Sequence, residues 1–281
     1  MKTYAATTEG TPSSPITVLL NASRADLYDQ CPLAYYHRWV ARDLPTPSSP
    51  ALKRGTDTHR ILALYNRAYM QDGAQPDPDT FLRDLWHGHV ASSPEADALR
   101  DYIDASIRGY AHYCALWGLR PVAVEQTITL PARPLATNTA ITLTLNGRID
   151  AILHATHNSP LLPEGAYFAC DFKASAVALT QEMRAAPSTT IYLLLAAYWM
   201  KRPATDLTVG QFSPRFEEDV RVGFDEVELE AGRAHLRTIA EGMAQSKWGP
   251  RVCALCDHCD VQRQGRCPLQ CAREVDTNDQ F

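Results

Sequence analysis

At Pro121 the apolar residues stop recurring at helical spacing and begin to alternate, and this change restricts the possible folds more than any other feature of the chain. Upstream, Leu52 to Tyr69 carries Ile61, Leu62, Leu64, Tyr65 and Ala68 along one helical face. Phe81 to Trp117 continues with amphipathic segments after the Pro-Asp-Pro-Asp loop at 76 to 79. Downstream, Val122-Ala-Val124, Thr127 to Leu130 and Ile141 to Leu145 alternate as half-buried strands do, and a strand bearing Asp150 follows at once. After a loop at 154 to 165, Tyr167 to Phe172 is short and continuously apolar, the pattern of a central strand covered on both faces. Ala176 to Met200 reads as helix interrupted near Pro187, and Leu207 to Phe212 and Val220 to Phe224 read as two more strands. Asp225 with Glu228 forms a capping box for a helix to about Ser246. This order predicts an α/β fold with a mixed central sheet flanked by helices.

Nearer the start, Ser23 is placed to cap a helix through Leu27, Cys31, Ala34 and Tyr35, ended by the proline-rich stretch at 45 to 50. Residues 1–15 are rich in Thr, Ser, Pro and Gly without periodicity, which predicts a disordered tail. The remainder, 16–281, is expected to form one domain: a mainly helical part over 16–118, an α/β core over 119–246 and a cysteine-rich tail over 247–281. With 281 residues and 45% hydrophobic content, the chain can fill a single core.

A net charge of −5 argues against a protein that coats nucleic acid, because non-specific affinity comes from Lys and Arg neutralising phosphates. Any nucleic-acid contact is expected to be local. The longest apolar run, Ile191 to Met200, is far shorter than the ~20 residues of a membrane span. The first residues lack the basic and apolar pattern of a signal peptide, and eight cysteines without one point to a reducing compartment, the cytoplasm.

Two groups of residues carry chemistry. Asp150, in Asn146-Gly147-Arg148-Ile149-Asp150, is followed by Asp171-Phe172-Lys173, a spacing that can bring two carboxylates and an amine together on neighbouring strands. Two carboxylates and a main-chain carbonyl, here that of Phe172, suffice to hold Mg²⁺, and a lysine directed at the same point can orient or deprotonate an attacking water. The alternative is two surface acids and a solvated lysine. The second group is Cys253, Cys256, Cys259, Cys267 and Cys271, five thiols crowded into a polar tail, which reads as a metal-ligand cluster. Thiolates suit zinc as well as an iron–sulfur centre.

Taken together these motifs resemble the RecB-like branch of the PD-(D/E)XK nucleases, which includes the RecB and AddB nuclease domains and the iron–sulfur nucleases of CRISPR adaptation. Ser23 to Pro32 looks like that branch's opening helix with its Cys-Pro. Arg54-Gly55-Thr-Asp-Thr-His59 resembles its Gly-x-x-x-His element, and Gly147-Arg-Ile-Asp150 and Asp171-Phe-Lys173 resemble the strands carrying its acids. The tail resembles its Cys-x-x-Cys followed by Cys-Pro. One departure is Ser188-Thr-Thr-Ile-Tyr192, where the family has Gln-x-x-x-Tyr.

The resemblance implies a restriction-endonuclease-like core with a helical insertion and a metal-cluster tail. It implies His59, Asp150, Asp171 and the Phe172 carbonyl as ligands of Mg²⁺ or Mn²⁺, and Lys173 as the residue that positions water. Tyr192 becomes a possible substrate contact. Cys31, Cys256, Cys259 and Cys267 become the ligands of a 4Fe–4S cluster, with zinc as the alternative metal and Cys253 and Cys271 as further candidates. The implied activity is DNA hydrolysis, as an exonuclease on single strands or duplex ends, in repair, recombination or CRISPR or phage DNA processing. A helicase, recombination or integrase protein is the implied partner. Two other readings are a non-catalytic adaptor that keeps fold and cluster, and a zinc-stapled nucleic-acid-binding protein.

Overall fold

The computed structural model describes residues 16–45, 49–87, 94–159, 162–174, 180–254 and 256–269; the expected tail over 1–15 and Cys271 lie outside them. The chain enters through β1 (Ile16–Leu20), whose Val18 and Leu20 are buried while its other side faces solvent. Its helix α1 (Ala22–Gln30) is capped by Asn21, whose side chain accepts from the Arg24 N–H, so the cap lies two residues before the expected Ser23. The helix does not run on through Cys31 either. Pro32 disfavours helical backbone at the residue before it, so Cys31 is extended and α2 (Pro32–Tyr35) starts afresh, running into one π-helical segment over Tyr36–Ala41.

Ser49 and Pro50 then start α3 (Pro50–Asp72), which Gly73 ends in left-handed backbone. Asp77 caps α4 (Pro78–Leu85), so the Pro-Asp-Pro-Asp stretch is loop and helix start at once, and α5 (Pro94–Trp117) leads to the sheet.

The separate alternating segments fuse into longer strands. β2 (Leu119–Thr129) takes in both segments from 122 to 129, leaving Leu130 just outside, and a two-residue β3 (Arg133–Pro134) follows. β4 (Ile141–Ala155) joins the Ile141 segment to the Asp150 segment. β2 and β4 pair antiparallel from Leu119 opposite Ala155 to Thr129 opposite Asn146, while β1 lies parallel to residues 141–145 of β4. β5 (Tyr167–Phe172) is antiparallel to β4, β6 (Leu207–Ser213) parallel to β5, and β7 (Glu218–Val222) antiparallel to β6. The result is one mixed sheet of seven strands among the described residues, as the residue pattern predicts.

Helices cover both faces. On one, α1, α7 (Pro187–Met200) and α8 (Glu226–Ala244) pack Ile191, Leu195, Leu236 and Ile239 against Leu20, Ile149 and Ile152. On the other, α3 and α5 pack Leu62, Tyr65, Ile107 and Tyr110 against Leu153, Phe168, Phe172 and Phe212. β5 is thus enclosed on both sides, with Phe168, Cys170 and Phe172 alternating toward α3 and α5. The predicted break at Pro187 separates α6 (Thr180–Ala185) from α7, and the Asp225–Glu228 capping box is formed. Gly210 lets β6 and β7 close, since a Cβ there would lie 2.2 Å from the Val220 carbonyl oxygen. Tyr35 stacks on Trp248 with ring centroids 5.8 Å apart, so this aromatic is core packing that joins the start of the chain to its end. No described helix is long and apolar enough to cross a membrane.

Candidate active site

β4 and β5 stop pairing at Ala151 opposite Cys170, so the backbone of β5 beyond that point is free to bond side chains. Asp150 uses it: the buried carboxylate accepts the Phe172 N–H at 2.9 Å. The same oxygen lies 3.2 Å from Nδ1 of His59, on the third turn of α3. Burial alone would lower the His59 pKa, but the hydrogen bond and charge of Asp150, the charge of Asp171 and a hydrogen bond to the Phe172 backbone together raise it. A bond that favours the protonated ring must be donated by it, so its acceptor at Phe172 is the carbonyl oxygen. The imidazole, the Asp150 carboxylate and the Phe172 carbonyl therefore converge. All three groups would suit a hard or borderline divalent cation.

Asp171 projects from the neighbouring position of β5 and pairs with Lys173 Nζ at 2.6 Å. Burial raises its pKa; Lys173 opposes that shift, and the nearby Asp150 charge adds to it. Two carboxylates and a lysine brought together on neighbouring strands are what the Asp150 and Asp-x-Lys spacing predicts. The main chain of Lys173 is fixed by its own N–H, which donates to the Phe212 carbonyl at 2.8 Å. An open cleft of about 590 Å³ is lined among others by His59, Arg67, Glu125, Arg148, Asp171 and Lys173, with Asp150 buried behind them.

Glu125 was not singled out from the sequence, yet it joins the site. It stands across β2 and β4 from Asp150, between the pairs Val124–Ala151 and Gln126–Ile149. Its φ of 50° is left-handed, unusual for a residue with a side chain. Ligand atoms of Glu125, His59 and Asp150 all lie within 4.8 Å of one another. Burial raises its pKa while Arg148, whose Nε is 2.9 Å away, lowers it. The one visible signal is an acid placed where the alternation of β2 calls for a neutral residue.

Ser188, at the start of α7, donates its backbone N–H to Asp26 of α1 at 2.9 Å, and so docks two helices. Tyr192, one turn further on, is half-buried; burial and the charges of Asp171 and Asp150 hold its phenol well above the usual range. It is close enough to feel both acids.

At the far end of α1, Cys31 is buried against Val261 of α9 (Asp260–Arg263). Cys31, Cys253, Cys256, Cys259 and Cys267 line one pocket of about 190 Å³. Burial pushes the Cys267 thiol up, and the neighbouring Cys31, Cys259 and Cys256 thiols add to the effect. The Cys253 N–H donates to Cys256 Sγ at 3.3 Å. Free thiols from both ends of the chain facing one pocket form a soft donor set that fits a thiolate-bound metal. By contrast Cys114 and Cys170 are sealed in the core, and burial pushes the Cys114 thiol up to about 12.

No curated protein matches the chain. Among solved structures it is similar to a protein from Eubacterium rectale described as a candidate exonuclease, at 10% identity with a TM-score of 0.46, covering 93% of each chain. It is also similar to the structure of SSO0001, at 15% identity and a TM-score of 0.38, covering 92% of this chain and 88% of that one. The sequence model of the PD-(D/E)XK nuclease superfamily matches residues 19–268, nearly the whole length. The chain belongs to the PD-(D/E)XK nuclease superfamily.

Proposed function

We propose that this nuclease is a metal-dependent deoxyribonuclease that acts as an exonuclease on single strands or duplex ends. The observation that carries the site assignment is the convergence of His59, Asp150 and the Phe172 backbone beside the Asp171–Lys173 pair. His59, Asp150, Asp171 and the Phe172 carbonyl would hold Mg²⁺ or Mn²⁺, with Glu125 as an additional acid within reach. The bound cation supplies neutralisation of charge developing on the phosphate oxygens and a more acidic water.

The protein's own groups do the rest. Phe172 N–H and the His59 ring fix one oxygen of the buried Asp150 carboxylate. Lys173, anchored through its main chain and drawn in by Asp171, positions the attacking water and holds its proton balance. In-line attack expels the 3′ oxygen and leaves a 5′ phosphate. The reading of end-directed action rests on the resemblance to RecB-like nucleases, as does a helicase, recombination or integrase partner in the cytoplasm.

Cys31, Cys256, Cys259 and Cys267 are assigned to a 4Fe–4S cluster, with Cys253 beside them. Closing so long a loop is costly in the unfolded chain, but the cost grows only slowly with length, so one cluster can pin both ends of a single nuclease unit.

The test is digestion of end-labelled single-stranded DNA by anaerobically purified protein. Digestion that needs Mg²⁺ or Mn²⁺ and is lost in Asp171→Ala and Lys173→Ala is expected. Variants that digest as fast as the parent would show the site to be misassigned.

A further inference from the structure

Beside the cleft two arginines share one aromatic ring. The guanidinium carbons of Arg54, in the first turns of α3, and Arg215, in the turn joining β6 to β7, each lie 5.0 Å from the centroid of Tyr102 on α5. The attraction of a guanidinium to the ring face offsets part of the repulsion between two like charges, but does not neutralise them. Among the described residues neither arginine forms an ion pair. The ring itself is buried and fixed, because its hydroxyl donates to the carbonyl of Ala174, the residue after Lys173. Gly55, the neighbour of Arg54, and Ala174 both line the cleft. The paired charges are therefore built into its lip.

The turn that brings Arg215 also brings Phe216, which is 50% exposed and lies under the same guanidinium at 5.4 Å. This tip is held, not loose. A Cβ at Gly109 of α5 would stand 2.1 Å from the Pro214 carbonyl oxygen, so only a glycine lets the turn press so closely on the helix. Glu217, next in the turn, pairs with His112 of α5 at 2.5 Å, and the Phe216 N–H donates to the Ser213 carbonyl. An exposed phenylalanine on a fixed tip, backed by guanidiniums with no ion pair among the described residues, has the parts of a stacking platform for a base with its phosphate. In a chain of net charge −5, such local positive charge stands out as a place for an anionic strand.

We infer that Arg54, Tyr102, Arg215 and Phe216 form a strand-binding platform, in which the two guanidiniums bridge one or two phosphates of the DNA strand entering the cleft and Phe216 stacks on an unpaired base. This rests on the nuclease reading of the adjoining site. It also gives that site a preference: a base held in a duplex cannot stack on Phe216, so the platform selects unpaired ends.

Fluorescence anisotropy of a labelled oligothymidylate, measured without divalent metal so that no cleavage occurs, tests this directly. Arg54→Ala combined with Arg215→Ala should weaken binding and reduce the slope of log affinity against log salt by about one, since each phosphate contact on a single strand contributes about 0.7. Phe216→Ala should weaken single-strand binding about tenfold, within the range for loss of one stacked base, and leave blunt-duplex binding unchanged. Circular dichroism checks that the variants are folded. If the parent binds and digests DNA while both variants bind the oligothymidylate as the parent does, the platform is wrong and the nuclease site stands. A parent that neither binds nor digests DNA would overturn both.

Discussion

Asp150 has its partners in place before any metal arrives, and this explains how an acid survives burial within β4. An isolated buried carboxylate is costly, whereas one that accepts a backbone N–H and lies 3.2 Å from an imidazole nitrogen is compensated. Asp150, Asp171 and Lys173 were legible for that reason: acids that interrupt apolar strands need something to pair with. Glu125 was not, because its approach to Asp150 depends on a left-handed backbone at one residue of β2, which alternation alone does not encode. If Glu125 takes part in holding the cation, Glu125→Gln should weaken Mn²⁺ binding about tenfold or more in titration calorimetry, while Asp150→Asn abolishes it. Unchanged affinity in Glu125→Gln would leave Glu125 as a partner of Arg148 only.

Among the elements, the type was easier to read than the limits. The change to period two after Pro121 located β2 and β4 correctly but as fragments, because polar side chains within each strand interrupt the alternation while the ladder runs on, through one register shift between Pro121 and Ala123. The helix start at Asn21 was missed since Ser23 is also a good cap, and the choice between them is made by which side chain reaches the Arg24 N–H. Asn21→Ala should therefore cost about 1 kcal/mol in urea denaturation, and Ser23→Ala much less. The strand β1 showed too little alternation to be recognised, and only its pairing with β4 defines it. Where β6 and β7 press together, Gly210→Ala should cost about 1–3 kcal/mol, since the new methyl meets backbone that cannot move aside. A denaturation midpoint equal to the parent's would mean that the strands separate readily.

For the molecule as a whole, side-chain contacts join the two ends of the described chain. Tyr28 donates to the Lys247 carbonyl at 2.9 Å, Arg38 pairs with Asp260 at 3.0 Å, and Arg266 pairs with Asp43 at 2.8 Å. Such exposed or half-exposed pairs contribute little individually, so the cysteine site is expected to carry most of the constraint. Cys31→Ser should remove the visible absorbance of the anaerobic protein and lower its thermal midpoint by several degrees, with the far-ultraviolet circular dichroism of the sheet and helices kept. Colourless parent protein with stoichiometric zinc would assign the site to zinc. The resemblance to RecB-like nucleases made this joining of the ends legible, because no local pattern links Cys31 to a tail so distant in sequence.

The nuclease centre itself is tested most directly by anomalous diffraction from crystals soaked in Mn²⁺. A peak among His59, Asp150, Asp171 and the Phe172 carbonyl is predicted, with ligand distances of about 2.0–2.3 Å. A cleft with no peak there, or Mn²⁺ bound only away from these residues, would contradict it.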